Sequence, residues 1–292
     1  ITWLEPPCGG KLALESRALG DRIAGERGQP GVSHLNRRKI KGIAVLAVAT
    51  VVIGGVSMKP ARGKVTGDTI TLGAAISLTG KYRTNGAHTL NGYNLAVKVI
   101  NAAGGVRVGG KTYRLAIDHH DDKSTEALSI PLVGRMIKRD GIKFMLGPYG
   151  SRLTKAVATV TEKYKIPMVE AEGPSRAIFG QGYKYLFAVL STSEQYLASA
   201  IALAAEIAEK NGKKPGDVKV AMVFEDDPFS LDVRAGVVDD IKKHGMRIVI
   251  DDKLPRDLPD MSVALTKVRA VKPDLLVVAA QSKGVAMLTR LL

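Results

Sequence analysis

Cysteine is almost missing from this chain: among its 292 residues the only one is Cys8. Everything after Cys8 therefore lacks the groups for an internal disulfide or a cysteine-based metal site. Aromatic residues are also scarce, at 5% of the sequence. An uncharged apolar run, Gly42 to Val56, has 15 residues, whereas a membrane-spanning helix needs about 20. No G-x-G-x-x-G follows the first predicted strand, and Walker and G-x-S-x-G motifs are absent, which disfavours nucleotide-binding and serine-hydrolase classes.

Acidic residues are fewer than basic ones: the chain has 28 Asp and Glu and 43 Lys and Arg, which gives a formal net charge of +15. Six of these excess positive charges lie before Lys64 and nine from Lys64 onward. In the longer part, basic and acidic residues are interspersed, with neither a long basic block nor a basic–aromatic alternation. We interpret the charge as a solubility feature with a mildly positive field and expect no nucleic-acid partner.

The N-terminal tract changes character abruptly. Residues 1–36 show no sustained periodicity, and we interpret them as an unstructured upstream extension. A basic cluster from Arg37 to Lys41 then precedes the apolar run, and Ala61 and Gly63 have the small-x-small spacing of a cleavage site. Together these features predict a signal peptide over 37–63 and therefore an exported protein. An uncleaved N-terminal anchor is the open alternative.

From Thr69 onward, predicted strands and helices alternate, which is typical of α/β folds with parallel sheets flanked by helices. A first lobe over 64–190 supplies about five strands, and a second lobe over 191–292 supplies only three. We therefore expect the second lobe to be incomplete and the chain to be truncated at its C-terminus. Strands are predicted at 69–76, 113–117, 144–146, 167–169, 185–190, 218–224, 246–250 and 274–279, and helices at 87–103, 125–139, 151–164, 196–210, 230–244, 261–270 and 284–292.

The helix at 87–103 follows a polar loop at 77–86 and ends at a pair of glycines. Its apolar residues recur at helical spacing, so we expect one face of the helix to be buried. The residues of this face are Leu90, Tyr93, Leu95, Ala96, Val99 and Ile100.

The stretch FMLGPYGSRLTKAVA, from Phe144 to Ala158, combines an apolar strand, a glycine-containing turn and a helix start at Ser151. The first backbone N–H groups of a helix have no internal acceptor, and the helix dipole adds positive potential at that end. We therefore predict half of a pocket for a small carboxylate-bearing solute. The alternative is that Ser151 only caps its helix.

Two further clusters could carry chemistry. Residues 119–122, two histidines and two aspartates, suggest metal, but neighbours on a strand point to opposite faces, so structural roles are favoured, with Asp122 as a helix-start acid. Glu225, Asp226 and Asp227 follow a strand at the edge where α/β proteins keep their sites. They could bind Mg²⁺ or act in acid–base catalysis, although a solvated loop bordering a cleft is favoured because no nucleophile or histidine accompanies them.

Several motifs, occurring in a fixed order along the chain, resemble those of a known family. These are TITLGAAISLTGKY, NGYNLAVKVINAAGGV, a DD pair before a helix, LGPYGS, an EGPS loop and VAMVFEDDPF. From about residue 69 to 292 the chain resembles the periplasmic leucine/isoleucine/valine-type solute-binding proteins of ABC transporters, which have the type I periplasmic-binding fold. The resemblance implies two lobes that close on a solute in the periplasm, with the carboxylate held by the first lobe.

The resemblance also implies a set of ligand-binding positions. The loop after the first strand would line the mouth of the cleft, Ser151 would bind the carboxylate, and the second lobe would cover the solute. Tyr149 is added because it lies in the turn and could stack on a ring or an aliphatic chain. The positions are Ser77, Thr79, Tyr82, Tyr149, Ser151, Thr154, Glu172, Gly173, Pro174, Phe229 and Gln281.

Three of these positions depart from the family pattern. Pro174 has neither the hydroxyl nor the N–H of the family's threonine, and Phe229 lacks a phenolic hydroxyl. Glu172 adds an acid, which is either a solvated loop residue or a partner for a ligand ammonium group. The solute could therefore be a branched-chain or other amino acid, an amide or an aromatic acid.

The function that follows from the resemblance is the extracytoplasmic solute-binding component of an ABC importer. We expect no catalysis, no cofactor and no metal, a small-molecule solute and a membrane permease as partners, and a monomer. One alternative is a ligand-sensing receptor domain of the same fold. The other is an α/β hydrolase-type enzyme that uses Glu225, Asp226 and Asp227.

Overall fold

The computed structural model describes residues 65–256 and 260–291. The predicted extension and signal peptide, residues 1–63, lie outside the described residues. No helix within the described part is long and apolar enough to span a membrane. The described residues form two sheets flanked by helices, and the chain crosses once from the first to the second.

The first lobe is built on a seven-stranded sheet. Its strands are β1 (Val65–Thr66), β2 (Thr69–Ile76), β3 (Val106–Val108), β4 (Lys111–Asp121), β5 (Met145–Leu146), β6 (Met168–Glu170) and β7 (Leu186–Ala188). Its helices are α1 (Arg83–Ala102), α2 (Glu126–Lys138), α3 (Ser151–Tyr164) and the short α4 (Arg176–Phe179).

The strand order is β3-β4-β2-β5-β6-β7, with β1 paired to β2. All pairings are parallel except β1 with β2 and β3 with β4. This is the parallel α/β sheet expected from the alternating pattern, with two short antiparallel additions that the sequence did not reveal. Because the central strands are parallel, their carboxyl ends and the loops that follow share one edge.

The register of the sheet shows which side chains form the core of the first lobe. Met145, Met168 and Leu186 are partners across β5, β6 and β7, and they pack on the side of α2 and α3. Residues one position along point to the opposite face. There Val169 is 41% exposed and Phe187 51% exposed, so the described residues leave this half of the second face open.

The predicted buried face of α1 is largely wrong. Leu95 and Val99 are 61% and 59% exposed, and Ala96 and Ile100 are exposed as well, whereas Leu90 and Tyr93 are partly buried. The helix packs on β2 and β4 through another arc of its surface, which includes Gly86 and Thr89. Apolar residues extend most of the way round α1, so their periodicity does not select one side.

The second lobe is built on a three-stranded parallel sheet in the order β10-β8-β9. Its strands are β8 (Lys219–Glu225), β9 (Arg247–Leu254) and β10 (Leu275–Ala279), and its helices are α5 (Ala198–Lys210), α6 (Pro228–Lys243), α7 (Ser262–Val271) and α8 (Ser282–Leu291). Alternate residues of β8 enter two cores: Met222 packs with Ile201 and Val237, and Val223 packs with Val268.

Most elements lie close to their predicted positions, but several bounds differ, among them those of β4 and β9, which are longer than predicted. The helix α1 begins at Arg83 and not at residue 87, so it takes up part of the predicted loop. Residues 170–182, which lie between two predicted strands and were assigned to neither strand nor helix, contain the last residue of β6 and the short helix α4. The helix predicted at 196–210 begins only at Ala198, after a separate 3₁₀ turn at Ser193–Gln195.

Candidate functional site

A cleft of about 200 Å³ lies where the carboxyl ends of the strands of both lobes meet. The first lobe contributes the segments that follow β5, β6 and β7, and the second contributes the residues around the start of α6 and after β10. Its lining residues are Tyr149, Gly150, Ser151, Ala171, Glu172, Pro174, Leu190, Tyr196, Phe229 and Gln281.

The N-terminus of α3 opens onto this cleft. Gly150 is the N-cap residue with φ of 84°, a left-handed conformation that favours glycine, and it makes no side-chain cap bond. Ser151 is thus the first helical residue, so its alternative role as a helix cap is wrong. Its Oγ accepts a hydrogen bond from the Ser175 backbone N–H at 3.1 Å, and the side chain is 1% exposed. The first N–H groups of α3 lack intrahelical acceptors and give this end of the cleft a positive potential.

The loop after β6 is held in place by Glu170, which is fully buried. Its Oε2 accepts hydrogen bonds from the N–H groups of Glu172 at 3.0 Å and Gly173 at 2.6 Å. Its Oε1 has no partner among the described residues, and burial raises the pKa of this carboxyl. Gly173 packs closely against α3, since a Cβ atom on Gly173 would lie 2.6 Å from the Thr154 side chain.

Glu172 faces the same cleft and is half-buried. Its Oε1 accepts a long hydrogen bond of 3.4 Å from the Thr89 hydroxyl, and burial raises the pKa of its carboxyl. No Lys, Arg or His side chain within residues 65–256 and 260–291 lies at ion-pair distance from it. The Gly150 N–H donates to the Glu172 carbonyl at 3.1 Å, which keeps Glu172 beside the start of α3.

Aromatic rings form much of the remaining wall. Tyr149 packs against Tyr82 with ring centroids 5.5 Å apart, and Tyr196 meets Phe229 edge-to-face at 5.9 Å. The Tyr149 hydroxyl donates to Gln281 Oε1 at 3.2 Å, which links the two lobes. These rings suit a solute with an apolar or aromatic part.

Of the predicted positions, the structure brings six together around the cleft: Tyr149, Ser151, Glu172, Pro174, Phe229 and Gln281. Tyr82 lies behind Tyr149. The other four predicted positions are not part of the cleft lining. The hydroxyls of Ser77 and Thr79 donate to Asp122 at 2.7 Å and to Asp121 at 2.6 Å, respectively. Thr154 donates to the Pro148 carbonyl at 3.3 Å, and Gly173 packs on Thr154.

Four lining residues were missed: Gly150, Ala171, Leu190 and Tyr196. Two of them, Gly150 and Ala171, are direct neighbours of predicted residues. Tyr196 follows the crossing between the lobes, and an aromatic residue placed there was the one available signal.

Glu225, the last residue of β8, and the two acids that follow it all have structural partners. Glu225 accepts from Lys81 Nζ at 3.1 Å and from the Gln281 N–H at 2.6 Å, so it joins the two lobes. Asp227 caps α6 by accepting from the Phe229 N–H at 3.0 Å, and Asp226 pairs with Lys253 at 3.2 Å. Three carboxylates bound in this way are poorly placed to act together on a substrate.

The histidine-containing strand end also has structural contacts. His120 Nε2 lies 2.8 Å from Arg135 and 3.4 Å from Asp118, and Arg135 also pairs with Asp140. One ligand atom each from Asp118, His120 and Asp140 lies within 4.8 Å of the others, but the Arg135 guanidinium lies among them. Asp122 is not the first acid of α2, whose N-cap is Thr125, and instead it accepts from Ser77 and from the Ser124 N–H.

Comparison with known sequences places this arrangement in a family. A sequence model described as periplasmic binding protein matches residues 69–290. The chain belongs to this periplasmic binding protein family. Its relatives include the Leu/Ile/Val-binding protein homolog 8 of Brucella abortus, which is 27% identical over 206 residues, 70% of this chain and 50% of the relative. The chain thus spans about half the length of the curated relatives that it matches.

Solved structures of periplasmic binding proteins share the fold. One is a solute-binding protein of an ABC transporter from R. palustris in complex with 4-hydroxybenzoate, with a TM-score of 0.60, 21% identity, and coverage of 72% of this chain and 54% of that chain. Another is a branched-chain amino acid transporter substrate-binding protein from Streptococcus pneumoniae in complex with isoleucine, with a TM-score of 0.58, 23% identity, and coverage of 72% and 56%. At these identities the likeness shows the type I periplasmic-binding fold, of which the chain covers a part.

Proposed function

We propose that this chain is the solute-binding part of an ABC importer and that it binds a small carboxylate-bearing solute without transforming it. The cleft between the two lobes is the observation that carries the proposal. It sits at the carboxyl ends of both sheets, where α/β proteins bind ligands, and the positive end of α3 opens into it.

The solute would dock on the first lobe, with its carboxylate at the N–H groups that begin α3 and at the Ser151 hydroxyl. The second lobe, through Phe229 and Gln281, would cover it and exclude water, which strengthens each hydrogen bond. The curated relatives are named Leu/Ile/Val-binding proteins, and the solved structures hold isoleucine or hydroxybenzoate, so amino acids and aromatic acids are the solutes to test first.

The partners and the location follow from the same family. The closed form of the two lobes would be recognised by a membrane permease, and the protein would work in the periplasm after export through the signal at 37–63. The acids at the end of β8 favour binding over catalysis, because Glu225 is engaged in a pair between the lobes and Asp227 caps a helix.

The test is calorimetry on the 292-residue chain with leucine, isoleucine, phenylalanine, benzoate and 4-hydroxybenzoate, and with the carboxamide of each. We expect at least one carboxylate to bind and its amide to bind more weakly. Ser151→Ala should weaken the carboxylate by about 10- to 100-fold, the effect of a lost hydrogen bond to a charged group.

Ser129→Ala is the matched control, because Ser129 is also a fully buried helix serine but lies outside the cleft lining. It should lower stability and leave solute affinity unchanged. The proposal would be wrong if no compound of the panel bound, and the anion site would be wrong if Ser151→Ala and Ser129→Ala had equal effects on affinity.

A further inference from the structure

We propose that Asp232, which lies on α6 of the second lobe, is a positioning residue for the solute carboxylate. It acts through the loop after β6, which orients the Ser151 hydroxyl at the start of α3. The inference rests on the proposed function and deepens it. A residue outside the cleft lining is given a part in how the cleft distinguishes a carboxylate from a neutral group.

The hydrogen bond that Ser151 accepts determines where its own proton can go. Its Oγ accepts from the Ser175 backbone N–H at 3.1 Å, and within residues 65–256 and 260–291 its hydroxyl donates to no protein acceptor. The hydroxyl proton is therefore left for an acceptor in the cleft that Ser151 lines. A charged carboxylate oxygen is a stronger acceptor than a neutral amide oxygen. Ser151 can favour carboxylates in this way only while the Ser175 N–H stays in place.

Asp232 holds the residue that follows Ser175. Its Oδ2 accepts from the Arg176 backbone N–H at 3.1 Å, and its Oδ1 accepts from Arg176 Nε at 2.7 Å. Burial raises the pKa of the Asp232 carboxyl, but hydrogen bonds from Arg176 and Ser193 lower the pKa by more, so the group is charged at neutral pH. Two bonds from one carboxylate fix both the backbone and the side chain of Arg176, and with them the adjacent Ser175 N–H.

The same carboxylate also binds the crossing between the lobes. Asp232 Oδ2 accepts from the Ser193 hydroxyl at 2.7 Å, and the Ser193 N–H donates to the Pro174 carbonyl at 2.9 Å. Four residues farther along α6, a Cβ atom on Gly236 would overlap the Glu194 carbonyl oxygen, so the helix and the crossing pack closely. The loop after β6, the crossing and α6 are therefore joined into one connected unit.

The donors around Asp232 require both of its oxygens. Oδ1 receives the Arg176 Nε–H, and Oδ2 receives the Arg176 backbone N–H together with the Ser193 hydroxyl. An asparagine offers only one acceptor oxygen and places its NH₂ group against a donor on the other side. Asp232→Asn therefore releases part of the loop while it keeps the shape of the side chain.

The experiment measures how well the cleft distinguishes an acid from its carboxamide. Leucine, isoleucine, phenylalanine, benzoate and 4-hydroxybenzoate, each beside its carboxamide, are titrated into the 292-residue chain by calorimetry. We expect Asp232→Asn to lower the ratio of acid affinity to amide affinity by about 5- to 10-fold, through partial loss of the hydrogen bond from Ser151. In the Ser151→Ala background it should lower the ratio no further, because both substitutions act on the same hydrogen bond.

Three further variants separate positioning from other effects. Asp240→Asn removes the same charge from the same helix but lies outside this network, so it should leave the ratio unchanged. Lys81→Met breaks a contact between the lobes far from the crossing and should weaken acid and amide by the same factor. Arg176→Met keeps the backbone bond to Asp232 and loses the side-chain bond, so it should lower the ratio by a smaller factor.

The melting temperature of each variant reports whether it is folded. An unchanged ratio in folded Asp232→Asn refutes the positioning role while the proposed function stands, and Arg176→Met decides in the same way if Asp232→Asn is unfolded. The role is also refuted if the natural protein binds its acids no more tightly than their amides, or if the Asp232 substitution lowers the ratio equally with and without Ser151. If none of the five acids binds, the proposed function and the positioning role are both refuted.

Discussion

Glu170 anchors the loop after β6, which lines the cleft. It is fully buried, and one of its oxygens accepts the N–H groups of both Glu172 and Gly173. Replacement of this acceptor would free the loop that carries Glu172. The carboxyl is also expensive to ionise in this place, because burial raises its pKa more than the two hydrogen bonds lower it.

The raised pKa of Glu170 predicts a pH dependence of stability. An acid whose pKa is raised on folding binds more protons in the native state than in the unfolded state, so the free energy of unfolding falls as pH rises. We expect the protein to gain stability in urea unfolding as pH is lowered from about 8 to about 5. Acids with a lowered pKa, such as Asp232, oppose this gain below about pH 5, where the unfolded state begins to take up protons.

Glu170→Gln isolates the contribution of this carboxyl, because the amide keeps an acceptor oxygen and removes the charge. The variant should show a smaller gain on acidification than the natural protein, while Glu209→Gln on exposed α5 should show the full gain. Equal stability of the natural protein at the two pH values, or an unchanged gain in Glu170→Gln, would contradict the prediction.

The predicted binding positions show what the sequence can and cannot reveal at this scale. Ser151 was predicted because it follows a strand end and begins a helix, whereas Glu172 was implied by the family resemblance. Both line the cleft, because the topology of parallel sheets brings such loops together. Ser77 and Thr79 also follow a strand end, yet their hydroxyls donate to neighbouring aspartates. Thr79 donates to Asp121, the last residue of β4, and Ser77 donates to Asp122, the residue after it. Whether such a hydroxyl is free for a solute or is bound by a protein group depends on which strand lies beside its own, and here β4 lies beside β2. The pairing of β2 with β4 cannot be read directly from a single sequence.

Among the elements, α1 shows which structural features the sequence pattern predicts and which it does not. Its existence was predicted from apolar spacing, and β2 was predicted with both ends correct. The start of α1 and its buried side were not predicted correctly, because polar residues 83–86 join the helix and apolar residues extend most of the way round it. The hairpin partner β3 was also missed, since its three residues, Val106–Val108, include two that are exposed and carry little hydrophobic pattern. Tertiary packing decides both features.

Two glycines of α1 allow the packing of this helix to be tested. A Cβ atom on Gly86 would lie 2.1 Å from the Ser77 carbonyl oxygen, a backbone atom that cannot move aside easily. A Cβ atom on Gly92 would meet nothing within 4 Å. We expect Gly86→Ala to lower the free energy of unfolding by about 1–3 kcal/mol through overpacking. Gly92→Ala should raise it by about 0.5–1 kcal/mol, because alanine is the better helix former.

Urea unfolding of the two variants beside the natural protein provides the measurement. Both substitutions add one methyl group to the same helix, so the difference between them reports the close approach of α1 to the loop after β2. Similar stabilities for Gly86→Ala and Gly92→Ala would show that the helix does not pack as closely as described.

For the molecule as a whole, the important question is what holds the two lobes together. In the described residues a single crossing after β7 connects them. Near the crossing, Arg176 of α4 pairs with Asp232 of α6 at 2.7 Å. Farther away, beyond β2, Lys81 pairs with Glu225 and Asn85 donates to Ser282 at 3.1 Å. Contacts both near the crossing and far from it therefore hold the two lobes against each other beside the cleft.

The Lys81–Glu225 pair predicts how closure contributes to solute affinity. The pair joins the lobes, and its side chains are 21% and 6% exposed, so it strengthens binding if the solute favours the closed form. Lys81→Met and Glu225→Gln should each weaken the tightest-binding solute and enlarge the radius of gyration in X-ray scattering. The double variant should lose less than the sum, with a coupling of about 0.5–3 kcal/mol. Lys253→Met, which breaks a pair within the second lobe, should change neither quantity. Additive losses in affinity would mean that the pair plays no part in closure.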